Sequence, residues 1–317
     1  MSNILIDTVK PVLKSARLGY LNARQSVTGA SVSLVNFGSA MMRSTTMNFF
    51  TPPGFRQENY DSRADKLRND CYVTMPDFYE PQLIREVHEQ FKKAITNESL
   101  ITNHGYSRTI KNMEKMDEYI PSMVKLLRHE GLKRIMHSFY NSYFNLTSVS
   151  ATRLYPVPEK DRTPEHLLSA VWHCDDVPVD LVHLVVYLHD VTPAHGPTKL
   201  VSRKRTRELM RMGYGRRYEI GIPQNVLEDE KYVKDLSSKA GTAHLMLPCL
   251  TLHRAGIPND GLIRDSLFFS FRPGLEHQQF NRLSPIKRKM YPVLQNLGEN
   301  RLYAGGKLFG RRTFIYA

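Results

Sequence analysis

Arg264-Asp265-Ser266-Leu267-Phe268-Phe269-Ser270-Phe271-Arg272 is the stretch on which the fold turns. Successive side chains of an extended segment point to opposite faces. With that period, Leu267, Phe269 and Phe271 cover one face, and Arg264, Ser266, Phe268, Ser270 and Arg272 share the other. The segment therefore reads as a strand with one apolar face and one face carrying hydroxyls and guanidiniums.

Working outward, the same period of two recurs at residues 149–155, 181–188 and 242–247, with Gly, Pro and Asp between them. Cys71 to Met75 reads as a short strand, and Pro81 suits a first helical position. Leu83, Val87, Phe91 and Ile95 recur every four residues and predict a helix through about Ala94. A second helical region, from Met123 to Phe139, is read as interrupted at Gly131. Helices first and strands later argue an α+β fold with an antiparallel barrel or sandwich.

Residues 1–64 read as a basic, partly helical extension, 65–275 as the main domain, and 276–317 as a basic C-terminal extension docked on it. Ile4, Leu5, Val9, Val12 and Leu13 recur at helical spacing, with Lys10, Lys14, Arg17 and Arg24 around them. Such a helix either packs on the domain or makes peripheral contact with a membrane surface. The hydrophobic fraction of 41% is that of a folded globular chain. No apolar run approaches the ~20 residues needed to span a bilayer, and no secretory signal is read. Three cysteines give no disulfide framework, so a cytoplasmic, reducing compartment is expected. The formal charge of +13 favours an anionic partner or substrate. A dense basic run from Lys199 to Arg217 is a candidate recruiter of one.

The chemistry is carried by Trp172-His173-Cys174-Asp175, by His253, and by Arg264 with Ser266. His173 and Asp175 lie two apart, so both can grip one ion while Cys174 points away. Two histidines and one carboxylate, with open positions, favour Fe(II), though Zn, Mn or Co could bind such a set. A guanidinium facing the inside of a barrel needs a partner, and a small dicarboxylate is a suitable one. Thr198 after the Gly196-Pro197 turn, and Tyr155 with Arg153 on the strand from Val149, are further candidates to line the cavity. His183 reads as structural, and Asp176 as a candidate to orient a ligand.

With these residues the chain resembles the phytanoyl-CoA dioxygenase-like family of Fe(II)/2-oxoglutarate-dependent oxygenases. The resemblance runs roughly from Leu67 to Gly274 and includes the opening Cys71-Tyr72-Val73-Thr74-Met75-Pro76-Asp77-Phe78. It implies a double-stranded β-helix (a cupin-like jelly roll) with flanking helices. It implies His173, Asp175 and His253 as iron ligands, and Arg264 aided by Ser266 on the far carboxylate of 2-oxoglutarate. Fe(II), 2-oxoglutarate and O2 are the implied cofactors, with ascorbate as an accessory reductant. The implied reaction oxidises an unactivated C–H bond of a small or medium-sized, anionic or lipid-like metabolite, with release of succinate. The carboxylate of Asp175 argues for hydroxylation or another oxidation over halogenation. One segment departs: His195-Gly196-Pro197 runs into Val201-Ser202-Arg203-Lys204 where the family often has Pro-Gly-Ser-His.

Three other readings compete. An oxidative demethylase of nucleic acid is disfavoured by the spacing from Arg264 to Arg272, which departs from that family's. A non-catalytic binding protein on the same fold is opposed by the intact ligand set. Zinc hydrolysis leaves Arg264 without a role.

Overall fold

The computed structural model describes residues 54–104, 106–110, 116–162, 169–175, 180–211 and 232–274, with isolated positions between 41 and 51. The N-terminal amphipathic helix, Asp176, Arg216, Arg217 and the C-terminal extension lie outside the described residues.

The strands are β1 (Tyr72–Met75), β2 (Ile101–His104), β3 (Ser107–Ile110), β4 (Phe144–Leu154), β5 (Val182–Tyr187), β6 (Lys199–Val201), β7 (Val233–Asp235), β8 (Ala243–Met246), β9 (His253–Arg254) and β10 (Arg264–Pro273). They form a seven-stranded sheet in the order β1-β8-β5-β10-β4-β3-β2 and a three-stranded sheet in the order β7-β6-β9. Every pairing is antiparallel. The two sheets face each other across a cluster of Val185, Tyr187, Leu200, Leu236 and Met246. This is the expected jelly roll.

Among the described residues, the longer helices that flank it are α1 (Ser62–Asp70), α2 (Pro81–Ala94), α3 (Glu130–Tyr140) and α4 (Arg203–Arg211). Pro81 opens α2, where its missing N–H leaves no intrahelical bond unmade. Ile84, Val87, Phe91 and Ala94 form the buried face of α2. They share one core with Leu184, Val186, Leu245, Leu267, Phe269 and Phe271 on the outer face of the large sheet. Burying one such side chain contributes roughly 1.5–3 kcal/mol. The alternation read in β10 thus holds: its apolar face meets the helices, and its polar face looks into the barrel.

Several boundaries differ from the sequence reading. The helical region breaks at Arg128 and His129, between a short helix at Met123–Leu127 and α3, and Gly131 lies inside α3. A Cβ on Gly131 would sit 3.2 Å from the Phe78 ring, so glycine serves close packing there. β4 begins at Phe144, with a register shift opposite Ser270 and Phe271. Phe55 is buried, its ring against Tyr143, and the main-chain N–H of Asp61 donates to Ser138 Oγ, so chain before residue 65 packs on α3 and its end.

Candidate metal centre

His173 and His253 are directly opposed in an antiparallel bridge that extends the small sheet past β9. Each N–H donates to the other's carbonyl, at 3.0 and 2.9 Å. Directly opposed residues present their side chains on one face, close together. The rings lie 4.4 Å apart between centroids. Asp175, two residues on, returns to that face, and its N–H donates to the Pro248 carbonyl at 2.9 Å. Cys174 turns the other way, into a cluster with Trp172, Leu209 and Leu252. Three remote ligand atoms thereby converge within 4.8 Å of one another.

The tautomers are fixed by the same local device at both histidines. Nδ1 of His173 donates to the carbonyl of Val171 at 2.6 Å, and Nδ1 of His253 to that of Thr251 at 2.9 Å. With the proton on Nδ1, Nε2 of each ring offers its lone pair toward Asp175 Oδ1, at 3.3 and 3.8 Å. Burial pushes His253 down to about 4, so its imidazole is neutral. Burial works to raise the Asp175 carboxyl, but the imidazoles of His173, His183 and His253 gathered around it hold it well below the usual carboxylate range. Two imidazole nitrogens and a carboxylate converging from one side form a facial donor set for a divalent cation.

On the inner face of β10, Arg264 is 1% exposed. Its guanidinium stands 5.8 Å from the Tyr187 ring, and Nε and Nη1 make no hydrogen bond with any described residue. Burial lowers its pKa, with Tyr187 opposing. A buried cation with unmet donors fits an anionic ligand. Thr198 is brought to this corner, its N–H donating to the Tyr187 hydroxyl at 2.9 Å. Ser266 is fully buried beside Arg264, and its hydroxyl reaches the Thr152 carbonyl only at 3.5 Å.

One candidate falls elsewhere. Arg153 faces the helices rather than the cavity, bound through two nitrogens to Asp265 and lying over the Phe91 ring. Cross-strand register makes Arg153 and Asp265 direct partners, which settles the side on which Arg153 lies. Tyr155 lies just beyond β4, interacts with Arg153, and lines a shallow cleft with Tyr106, Gly256 and Pro258. Of the basic run, Arg203 donates to the carbonyls of Arg68 and Asn69, and Arg205 pairs with Glu208. Lys204 and Arg207 remain exposed.

The sequence reading passed over Tyr187 and read His183 as structural. A signal was present: His183, Val185 and Tyr187 share the period-two face of β5 that looks into the barrel.

No family model and no curated protein matches the sequence. Among solved structures, EctD from S. alaskensis with 2-oxoglutarate and 5-hydroxyectoine is similar over 68% of this chain and 76% of its own, at a TM-score of 0.50 and 13% identity. The apoform of EctD gives a TM-score of 0.50 at 14% identity, over 68% and 77%. SnoN, a non-heme alpha ketoglutarate dependent epimerase from nogalamycin biosynthesis, covers 70% of this chain and 82% of its own, at a TM-score of 0.49 and 15% identity. At these identities the likeness to EctD is one of fold, and it agrees with the jelly roll described above.

Proposed function

We propose that the protein is an Fe(II)/2-oxoglutarate-dependent dioxygenase of the phytanoyl-CoA dioxygenase-like kind. The observation that carries this reading is the pairing of two features in one barrel. A His173–Asp175–His253 donor set converges within 4.8 Å, and a buried Arg264 guanidinium has two nitrogens without partners. Zinc hydrolysis would use the first feature and leave the second idle. That EctD has been crystallised with 2-oxoglutarate and with Fe gives the fold a precedent for both groups.

His173 Nε2, His253 Nε2 and Asp175 Oδ1 would hold the ion, on one side only. Bound Fe(II) supplies the redox chemistry that couples decarboxylation of 2-oxoglutarate by O2 to oxidation of a substrate C–H bond. Arg264 holds the far carboxylate of the cosubstrate, with Tyr187, Thr198 and Ser266 shaping that end of the cavity. The apolar side chains of Val185, Leu200 and Phe268 keep water from the inner wall. The substrate is a small or medium-sized metabolite, anionic or lipid-like, in keeping with the +13 charge. Three buried cysteines, none of them in a disulfide, suit a reducing, cytoplasmic setting.

The test is succinate release from 2-oxoglutarate, screened against small anionic and lipid-like metabolites with Fe(II) present. Stimulated release that vanishes in His173→Ala and Asp175→Ala supports the assignment. Release that persists in both variants refutes it.

A further inference from the structure

Asp175 offers one oxygen to the ligand cluster and turns the other to a third imidazole. His183 Nε2 lies 3.3 Å from Asp175 Oδ2. Its other ring nitrogen, Nδ1, lies 2.9 Å from Ser270 Oγ, and Ser148 Oγ–H donates to Ser270 Oγ at 2.7 Å. The three residues form one row across the sheet, since Ser270 is the register partner of His183 on β5 and of Ser148 on β4.

The donor directions are consistent along the whole row. Ser148 donates to Ser270, which leaves the Ser270 hydroxyl hydrogen for His183 Nδ1. Asp175 Oδ2 can only accept, so His183 Nε2 carries the proton of that contact and donates it. His183 is thus in the tautomer opposite to His173 and His253, whose Nδ1 hydrogens go to main-chain carbonyls. Two imidazoles around Asp175 present lone pairs, and the third presents a proton. A ring with its proton aimed at the carboxylate cannot be a ligand, but it can hold the oxygen that does not ligate.

We propose that His183, oriented by Ser270 and Ser148, is a positioning residue that fixes Asp175 in single-oxygen ligation. By occupying Oδ2 it prevents the carboxylate from closing on the ion with both oxygens. A coordination position is thereby preserved for the cosubstrates. The role rests on the reading of the site as a divalent metal centre, and it is a property of this chain's own row of residues.

Co(II) titration followed by its d–d absorption tests the role without turnover. His183→Phe keeps a ring and removes the donor; it should weaken Co(II) binding about 10–100-fold and change the d–d spectrum. His183→Gln keeps an N–H donor and should recover most of both. Co(II) affinity and spectrum in His183→Phe equal to those of the unaltered protein would overturn the role, as would equal losses in His183→Phe and His183→Gln. Should His183→Phe fail to fold, Ser270→Ala removes only a hydroxyl and should weaken Co(II) in the same direction; an unchanged affinity there overturns the role. Failure of the unaltered protein to bind Co(II) would remove the metal centre itself, an outcome distinct from those.

Discussion

Arg153 grips Asp265 through two hydrogen bonds of 2.7 Å, on the face of β10 turned away from Arg264. His88 from α2 approaches the same carboxylate at 2.9 Å, and the Asp265 N–H donates to His189 Nε2. Neighbouring residues on one strand therefore have opposite fates. Asp265 is saturated with partners and locks β10 to β4 and α2, whereas Arg264 is held in the barrel with donors to spare. Ligand binding at the inner face is built on a polar clamp at the outer one.

Breaking that clamp should cost stability. Asp265→Ala leaves the Arg153 guanidinium, whose side chain is only 16% exposed, without its carboxylate. We expect a loss of roughly 3 kcal/mol in urea unfolding, the low end for a broken buried pair because Arg153 can partly rehydrate. An unchanged unfolding midpoint would show that the clamp is dispensable.

Arg264→Leu should move two quantities in opposite directions. Removing a buried cation with unmet donors should leave the ligand-free protein as stable as before or more so. The same change should weaken 2-oxoglutarate binding about 10–100-fold, the effect of losing a charge-assisted pair worth about 1.5–3 kcal/mol. Calorimetric binding with thermal melting reads both. Undiminished 2-oxoglutarate affinity would take Arg264 out of the site.

Acid should destabilise the fold before any carboxylate titrates. Burial pushes His137 and His244 from the ordinary 6.5 down to about 4. As pH falls below 6.5, the unfolded chain takes up these protons and the native state does not. Stability is then full above that pH and declines until the native imidazoles protonate near 4, by on the order of 3 kcal/mol for each. Urea midpoints measured across that range should fall steadily; a flat profile contradicts the buried, neutral histidines.

Among the described glycines, Gly196 is the one whose added Cβ would meet main-chain atoms most closely. It has φ of +64°, and a Cβ would come within 2.4 Å of the Ile257 carbonyl carbon. Backbone cannot step aside as a flexible side chain can. Gly196→Ala should lower unfolding stability by about 1–3 kcal/mol and, through the adjacent Thr198, weaken 2-oxoglutarate binding as well. Unaltered stability would mean that the turn relaxes freely.

What could be read from the chain was what repeats or what stands in a fixed offset. β10 announced itself by alternation, and α2 by apolar residues every four positions, because each buries one face continuously. His173 and Asp175 were legible by parity alone, and His253 by its place at a strand end. The hairpin of β2 and β3, with β6 and β7, went unread, because none of these short strands has two apolar residues two positions apart, as β1 has in Val73 and Met75 and β8 in Ala243 and Leu245. Arg153 stands only as a candidate for the cavity because parity gives two faces without saying which is inside; only pairing with Asp265 decides it. His183 was taken as background for a related reason. Its role depends on a row running across three strands, and no single segment displays such a row. The break before α3 fell at His129 rather than Gly131, where close contact with Phe78 outweighs helix propensity.

Anaerobic addition of Fe(II) and 2-oxoglutarate together tests the central claim most directly, since the iron chelate of a 2-oxoacid absorbs visible light. A visible band that needs both components should appear, vanish in Asp175→Ala, and demand far more 2-oxoglutarate in Arg264→Leu. A protein that binds no Fe(II), or develops no band with both present, would contradict it.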